Sequence, residues 1–239
     1  MRTSYGPISR TQTKTAAYSP WQLNLFNGCS HGCKYCYVMG LVLKKREAFM
    51  NNYNTLMKHS DLDLIDNGLL SMSKDGLSKE PVLLSFIGDP YDARRVAEGQ
   101  NGIMREVLQL FQKHGQRFIV LTKNPEGALV DLDLYGPDDA LASTLTWWKD
   151  DMEPFAPPVS DRVKALLEAQ EKGIRVWASL EPIGDETLTL AALREMEGLP
   201  TIPKFIGPEQ RKVLSVEFMD EIMKLPNTFV KGKVRPDQA

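Results

Sequence analysis

The chain of 239 residues holds no run of roughly 18 consecutive apolar residues, the length a membrane-spanning helix requires. Its opening segment, MRTSYGPISRTQTKT, is polar and has no apolar stretch behind its charges, so the expected location is the cytoplasm. Nor is there an excess of one charge. Against 29 Lys and Arg stand 31 Asp and Glu, a formal net charge of −2. That balance excludes coating of nucleic acid by bulk positive charge and leaves only a local basic groove. Internal repeats, low-complexity tracts and linkers are absent, and the prolines within residues 153–158 read as a loop. Cysteine is scarce and informative. The three cysteines lie within eight residues, CSHGCKYC, and an odd number packed so tightly excludes a disulfide framework. Metal binding and redox chemistry remain.

What is present alternates between strand-like and helix-like runs. Residues 21–26 read as a short strand ending at Asn27-Gly28. Residues 82–87, VLLSFI, read as a strand buried on both faces. A helix over 103–111 ends before Gly115, and 118–121 is again strand-like. Asn124-Pro125 opens a short helix with a cap and a proline in its first turn. A strand over 141–147, a helix capped by Ser160 and stopped at Gly173, a strand over Arg175–Leu180 and a helix over 188–196 follow. Residues 201–206, TIPKFI, offer a sixth strand that Pro203 interrupts. The tail suggests a helix over 216–225 and an extended segment over 228–234. Such alternation implies parallel strands joined by right-handed crossovers. Because the cysteine loop follows the first strand, the expected α/β fold is a partial parallel (βα) barrel of five clear units and an interrupted sixth, with its chemistry at the carboxyl ends of the strands. It reads as one domain: a lead-in over 1–20, a barrel core over 21–206 and an extension over 207–239.

Thiolate is a soft ligand that suits iron–sulfur clusters and zinc. A four-iron cubane needs four ligands, so Cys29, Cys33 and Cys36 would leave one iron open to a cofactor or substrate. A zinc site of the Cys3His type, completed by His31, His59 or His114, is one alternative, although structural zinc sites usually show two separated ligand pairs. Three inert buried cysteines are another.

The stretch 24–37, NLFNGCSHGCKYCY, resembles the radical S-adenosylmethionine superfamily motif C-x3-C-x-aromatic-C, with Tyr35 as the aromatic. It is similar to the spore photoproduct lyase-like branch, also called DNA repair photolyases, whose Asn-Pro-Tyr-x-Gly-Cys lead-in is partly kept as Asn24-Leu25-Phe26-Asn27-Gly28-Cys29. Further matches follow in the branch's order: GDPYD at 88–92, LTKNP at 121–125, STLT at 143–146, EPFAPP at 153–158, WASLEP at 177–182 and FVKGKVRP at 229–236. The resemblance covers about residues 18–187 and the tail. It implies that Cys29, Cys33 and Cys36 hold a 4Fe–4S cluster and that S-adenosylmethionine chelates the open iron. Reductive cleavage would then give a 5′-deoxyadenosyl radical that abstracts hydrogen from a substrate, in a lyase- or transferase-type enzyme. The implied partners are an external electron donor of flavodoxin or ferredoxin type and a substrate that is nucleic acid first, a peptide or small molecule second. Two departures stand out. The branch's lyase carries an extra cysteine near the second strand, and residues 85–89 contain none, so thymine-dimer repair is not implied. The poor match over 199–207 leaves a rival reading, a cluster-binding protein with an eroded barrel and no chemistry.

By the same resemblance, Tyr35 lies beside the adenine, and Gly88 and Asp89 meet the methionine amino group. Lys123 reaches the methionine carboxylate, Ser143 the ribose, and Glu181 the cofactor or substrate. Each has a plainer reading: a turn at Asp89-Pro90, a solvated Lys123, a small strand residue at Ser143, a turn cap at Glu181. No residue is singled out as catalytic. One of Trp147-Trp148 can enter the barrel and stack on a planar substrate, or pack under Pro157-Pro158. Lys44-Lys45-Arg46 and Arg94-Arg95 are either phosphate contacts at the mouth or solvated surface.

Overall fold

The computed structural model describes residues 2–12, 16–38, 45–206 and 214–230. One mixed sheet runs through them in sequence order: β1 (Ser4–Tyr5), β2 (Ile8–Arg10), β3 (Trp21–Leu23), β4 (Val82–Leu84), β5 (Phe118–Thr122), β6 (Ala140–Thr144), β7 (Arg175–Leu180), β8 (Lys204–Ile206) and β9 (Thr228–Val230). β1, β2 and β3 pair antiparallel, and every pairing from β3 to β9 is parallel. Helices fill the crossovers, so the expected partial (βα) barrel is the fold.

The strands stay short for local reasons. β4 stops at Leu84 because Ser85 takes φ +58, off the extended conformation. Residues 24–26 leave the ladder after β3, and Phe26 makes only an isolated bridge to Leu56. The interrupted sixth strand is real. Pro203 sits just before β8, where no N–H is needed, and its carbonyl accepts from the Ala178 N–H at 2.8 Å. β8 then pairs with β7 on one side and with β9 on the other. Ser160 does not cap its helix. The helix runs Val159–Glu171 from Pro158, whose φ of −54 already suits a helix start, and the Ser160 hydroxyl turns to Asp161. Asn124, by contrast, accepts from the Gly127 N–H ahead of Pro125–Ala128, as its position suggests.

Period-two alternation divides the sheet into two faces. Val82, Leu84, Phe118, Val120, Leu141, Val176, Ala178 and Ile206 point outward into one large core, beneath helix residues such as Ile65, Leu69, Val107, Phe111 and Leu166. Leu83, Ile119, Ala142, Trp177 and Phe205 point inward with Tyr18, Phe86 and Phe229. On this inner face Tyr18 stacks on Trp177 at 5.4 Å, Trp177 meets Phe205 edge-on, and Phe205 stacks on Phe229. Each fully buried large side chain contributes about 1.5–3 kcal/mol. Among the described residues, no helix is long and apolar enough to cross a membrane.

Candidate functional site

The loops after the carboxyl ends of β3 to β7 converge, and the cysteine loop lies among them. Protein contacts fasten it. Asn24 accepts the Phe86 and Ile87 N–H groups at 2.8 and 2.7 Å, tying the loop after β3 to the loop after β4. Gly28 lies against helix Arg46–Asn51, where a Cβ would come within 2.3 Å of Phe49 O. Gly88, at φ +79, lies against Gly28, and a Cβ there would come within 2.6 Å of Gly28 O. Only glycine fits either position. Asp92 caps Ala93–Ala97 and also accepts the Ser30 N–H and hydroxyl at 2.6 and 2.7 Å. His31 Nε2 accepts the Ala93 N–H at 3.1 Å. The Arg46 guanidinium donates to the carbonyls of Gly32, Cys33 and Lys34, and the Lys34 N–H reaches Met152 O.

All three cysteines are free thiols. Burial pushes the Cys29 thiol pKa well up, and the Asp89 and Asp92 carboxylates push further. Burial also raises Cys33, against the pull of Lys123. That donor set fits an iron–sulfur cluster: three soft ligands on one short loop. Among the described residues, the one group close enough to hold an ion contains Cys29 but neither Cys33 nor Cys36. Ligand atoms of Cys29, His31 and Asp92 lie within 4.8 Å of one another, but His31 Nε2 and both Asp92 oxygens are taken by the hydrogen bonds just described. Burial lowers the His31 pKa, which keeps the ring neutral and Nε2 free to accept. His59 is exposed in a turn, and His114 Nε2 lies 2.6 Å from Asp66.

Beside Cys33 is a buried charged cluster. Glu153 Oε2 accepts from Arg162 at 2.6 Å, and Oε1 accepts from Thr146 at 3.1 Å and from the Tyr35 hydroxyl. Lys123 Nζ lies 3.3 Å from Glu153 Oε1 and 5.5 Å from the centre of the Tyr35 ring. Burial alone would raise the Glu153 pKa, but Lys123 and Arg162 outweigh it and hold the carboxyl at about 2. The cluster therefore holds two cations and one anion. The Trp148 indole stacks on Tyr35 with ring centres 5.0 Å apart. Trp147 packs toward the outer core instead, so the pair splits between faces.

The other site residues fall at the same end of the sheet. Asp89 already serves protein groups: Oδ1 accepts from Thr122 Oγ1 and the Tyr91 N–H, Oδ2 accepts from the Lys123 N–H, and His31 Nδ1 is 3.6 Å away. Ser143 is fully buried and donates to Thr122 O at 2.7 Å. Glu181 Oε2 accepts from the Tyr18 hydroxyl at 2.9 Å, and that hydroxyl also meets Ser179 Oγ. Arg95 and Arg46 are bound to the protein's own backbone. Arg95 is fully buried, bonded to Asn101, Tyr53 O, Asp89 O and Pro90 O, and lies over Phe26. Arg94 pairs with Glu98, and Arg46 grips the cysteine loop. Lys44 and residues 231–236 lie outside the described residues.

No protein-family model matches the chain. Two curated relatives are similar in sequence. The uncharacterized protein MJ0683 of Methanocaldococcus jannaschii is 28% identical over 74% of this chain and 64% of its own length. The uncharacterized protein ORF301 of Acidianus two-tailed virus is 25% identical over 68% of this chain and 56% of its own. The chain thus spans less than two thirds of each. Among solved structures, a spore photoproduct lyase variant aligns with TM-score 0.68 at 12% identity, over 93% of this chain and 78% of that one. Another, with bound AdoMet and dinucleoside spore photoproduct, aligns with TM-score 0.61 at 12% identity, over 90% and 63%. The fold is that of spore photoproduct lyase.

Proposed function

We propose that the chain is a radical S-adenosylmethionine enzyme in which Cys29, Cys33 and Cys36 hold a 4Fe–4S cluster. One observation carries the reading: three free thiols within eight residues, on a loop at the carboxyl end of a barrel strand that protein contacts hold in place. When bound, the cluster supplies the electron that splits S-adenosylmethionine into methionine and a 5′-deoxyadenosyl radical, which takes hydrogen from the substrate. The chain's own residues bind and orient. Lys123 and Glu153 present opposite charges to the amino-acid half of the cofactor, Tyr35 presents a ring to its base, and Ser143 and Glu181 line the remaining wall. Gly88 and Asp89 serve by placing the loop after β4 against the cysteine loop. A structural neighbour's complex with AdoMet and a dinucleoside supports this cofactor and makes nucleic acid the first substrate class, acted on in a lyase- or transferase-type reaction with an external one-electron donor. The paired β8 strand argues against the eroded-barrel alternative.

Anaerobic reconstitution should yield about four irons and four sulfides per chain. Cys29→Ala, Cys33→Ala and Cys36→Ala should each abolish the cluster. Stoichiometric zinc without sulfide, or a full cluster in any single variant, overturns the ligand assignment. With dithionite and S-adenosylmethionine, chromatography should show 5′-deoxyadenosine and methionine. A fully loaded protein that yields neither is a non-catalytic iron–sulfur protein.

A further inference from the structure

Before it enters β3 the chain folds back on itself. The Thr11 N–H donates to Pro20 O at 2.9 Å, and the Thr11 hydroxyl donates to Ser19 O at 2.5 Å. The Ser19 hydroxyl donates to Pro81 O at 2.6 Å, just ahead of β4, which anchors the lead-in at the amino end of the sheet. Beside these anchors Tyr18 turns inward. Its ring stacks on Trp177 with centres 5.4 Å apart and planes 20° apart. Its hydroxyl lies 2.7 Å from Ser179 Oγ and 2.9 Å from Glu181 Oε2. Residues 177, 179 and 181 alternate onto one face, so the tyrosine side chain runs along the inner wall of β7 toward its carboxyl end. Tyr18 donates to Glu181, which leaves its oxygen to accept from the Ser179 hydroxyl. Burial, and after it the Glu181 charge, pushes the Tyr18 pKa well up, so the phenol keeps its proton at neutral pH.

We infer that Tyr18 is a positioning residue for the cofactor site: through a relay from Ser179 it fixes the Glu181 carboxylate in the wall against which S-adenosylmethionine binds. The inference rests on the function proposed above and adds the amino-terminal lead-in to the site. Packing does not account for the two hydroxyls. The inner face around them is otherwise apolar, with Leu83, Ile119, Ala142 and Phe205, and phenylalanine and alanine would fill the same space without burying polar groups. Tyr18 and Ser179 are buried, whereas Glu181 is half-buried at the end of β7, among the loops that carry the cysteines. The relay therefore ends on the one member a ligand can touch. A glutamate held in place before the ligand arrives loses no rotamer freedom on binding, and that saving appears as affinity.

The test is a double-mutant cycle between Tyr18→Phe, which keeps the ring on Trp177 and removes only the hydroxyl, and Glu181→Ala. Equilibrium dialysis of cluster-loaded protein, carried to millimolar S-adenosylmethionine, reads the Kd. Tyr18→Phe should raise it roughly tenfold, the loss of one hydrogen bond to a charged group, with the iron content of the parent protein. Glu181→Ala should raise it at least as much, and Tyr18→Phe added to Glu181→Ala should change it by less than about twofold. A purely structural hydroxyl would give effects that multiply, and that result overturns the inference. An unchanged Kd in Tyr18→Phe or in Glu181→Ala overturns it as well. Ser179→Ala guards against misfolding at position 18, because it leaves Tyr18 and Glu181 in place. It should raise the Kd about threefold, and only while Glu181 is present; no rise, or the same rise without Glu181, counts against the relay. Parent protein that holds its cluster and binds no S-adenosylmethionine overturns the proposed function and this inference with it. That outcome is distinct from cofactor bound equally well with and without the Tyr18 hydroxyl.

Discussion

Glu153 is the residue on which most of the site's charge depends. It lies between Lys123 and Arg162, and removing one member of a buried ion pair typically costs about 3–5 kcal/mol because the partner stays behind uncompensated. Glu153→Gln keeps the shape and loses the charge, so urea unfolding should show a loss of about 3 kcal/mol at neutral pH. The pH dependence has a definite sign. The folded-state pKa of about 2 lies below the ordinary 4.5, so the stabilisation is complete above 4.5 and disappears as pH falls toward 2. Unfolding free energies measured across that window should fall more steeply for the parent chain than for Glu153→Gln. Equal slopes would show that Glu153 is not held ionised. None of this cluster was legible as a cluster. Lys123 follows an apolar run and Glu153 opens a proline-rich loop, so each could be picked out, but Arg162 sits inside a helix where an arginine ordinarily faces water. Asp92 was visible only as a letter of a matching motif, with nothing to show that it would hold Ser30.

At the scale of the element, the short helix Arg46–Asn51 serves the cysteine loop more than the core. Arg46 is exposed, yet it donates to three successive carbonyls of that loop. Arg46→Ala should therefore leave the melting temperature nearly unchanged, since surface substitutions usually stay within about 0.5 kcal/mol. It should speed the loss of iron when loaded protein is challenged with a chelator, as followed by the visible absorbance. Iron loss at the parent rate would show that the grip is incidental. The sequence, by contrast, reads Lys44-Lys45-Arg46 as a charge run on the surface, because a guanidinium that binds backbone leaves no mark in composition. Strands followed the same division. β5 and β7, five and six residues long, stood out as apolar runs bounded by turns. β1 and β2 have two and three residues, too few for any period, and were found only by their partners in the sheet, whereas β9 lies within the extended segment expected over 228–234.

Across the whole molecule, the alternation of strand and helix was enough to give a parallel barrel, because it depends on patterns repeated along the entire chain. The convergence of Tyr35, Lys123, Glu153 and Arg162 was not, because residues far apart in sequence meet only through the register of β3 to β6. One consequence of that architecture concerns timing. The cysteine loop is stapled to its neighbours through Asn24, Ser30, His31, Lys34 and Arg46, and none of these bonds involves a metal. Its chain entropy is already lost when the protein folds. In small zinc domains the ion creates the fold and its removal destroys it. Under the proposed function, folding and metallation would be separate events here. Far-ultraviolet circular dichroism of cluster-free and cluster-loaded protein should superimpose, and loading should raise the melting temperature only as a tight ligand does. A cluster-free chain that is largely unfolded would contradict this. Under the proposed function the loop would be a finished cradle, and the chain would wait, folded and inert, until iron and sulfide are at hand.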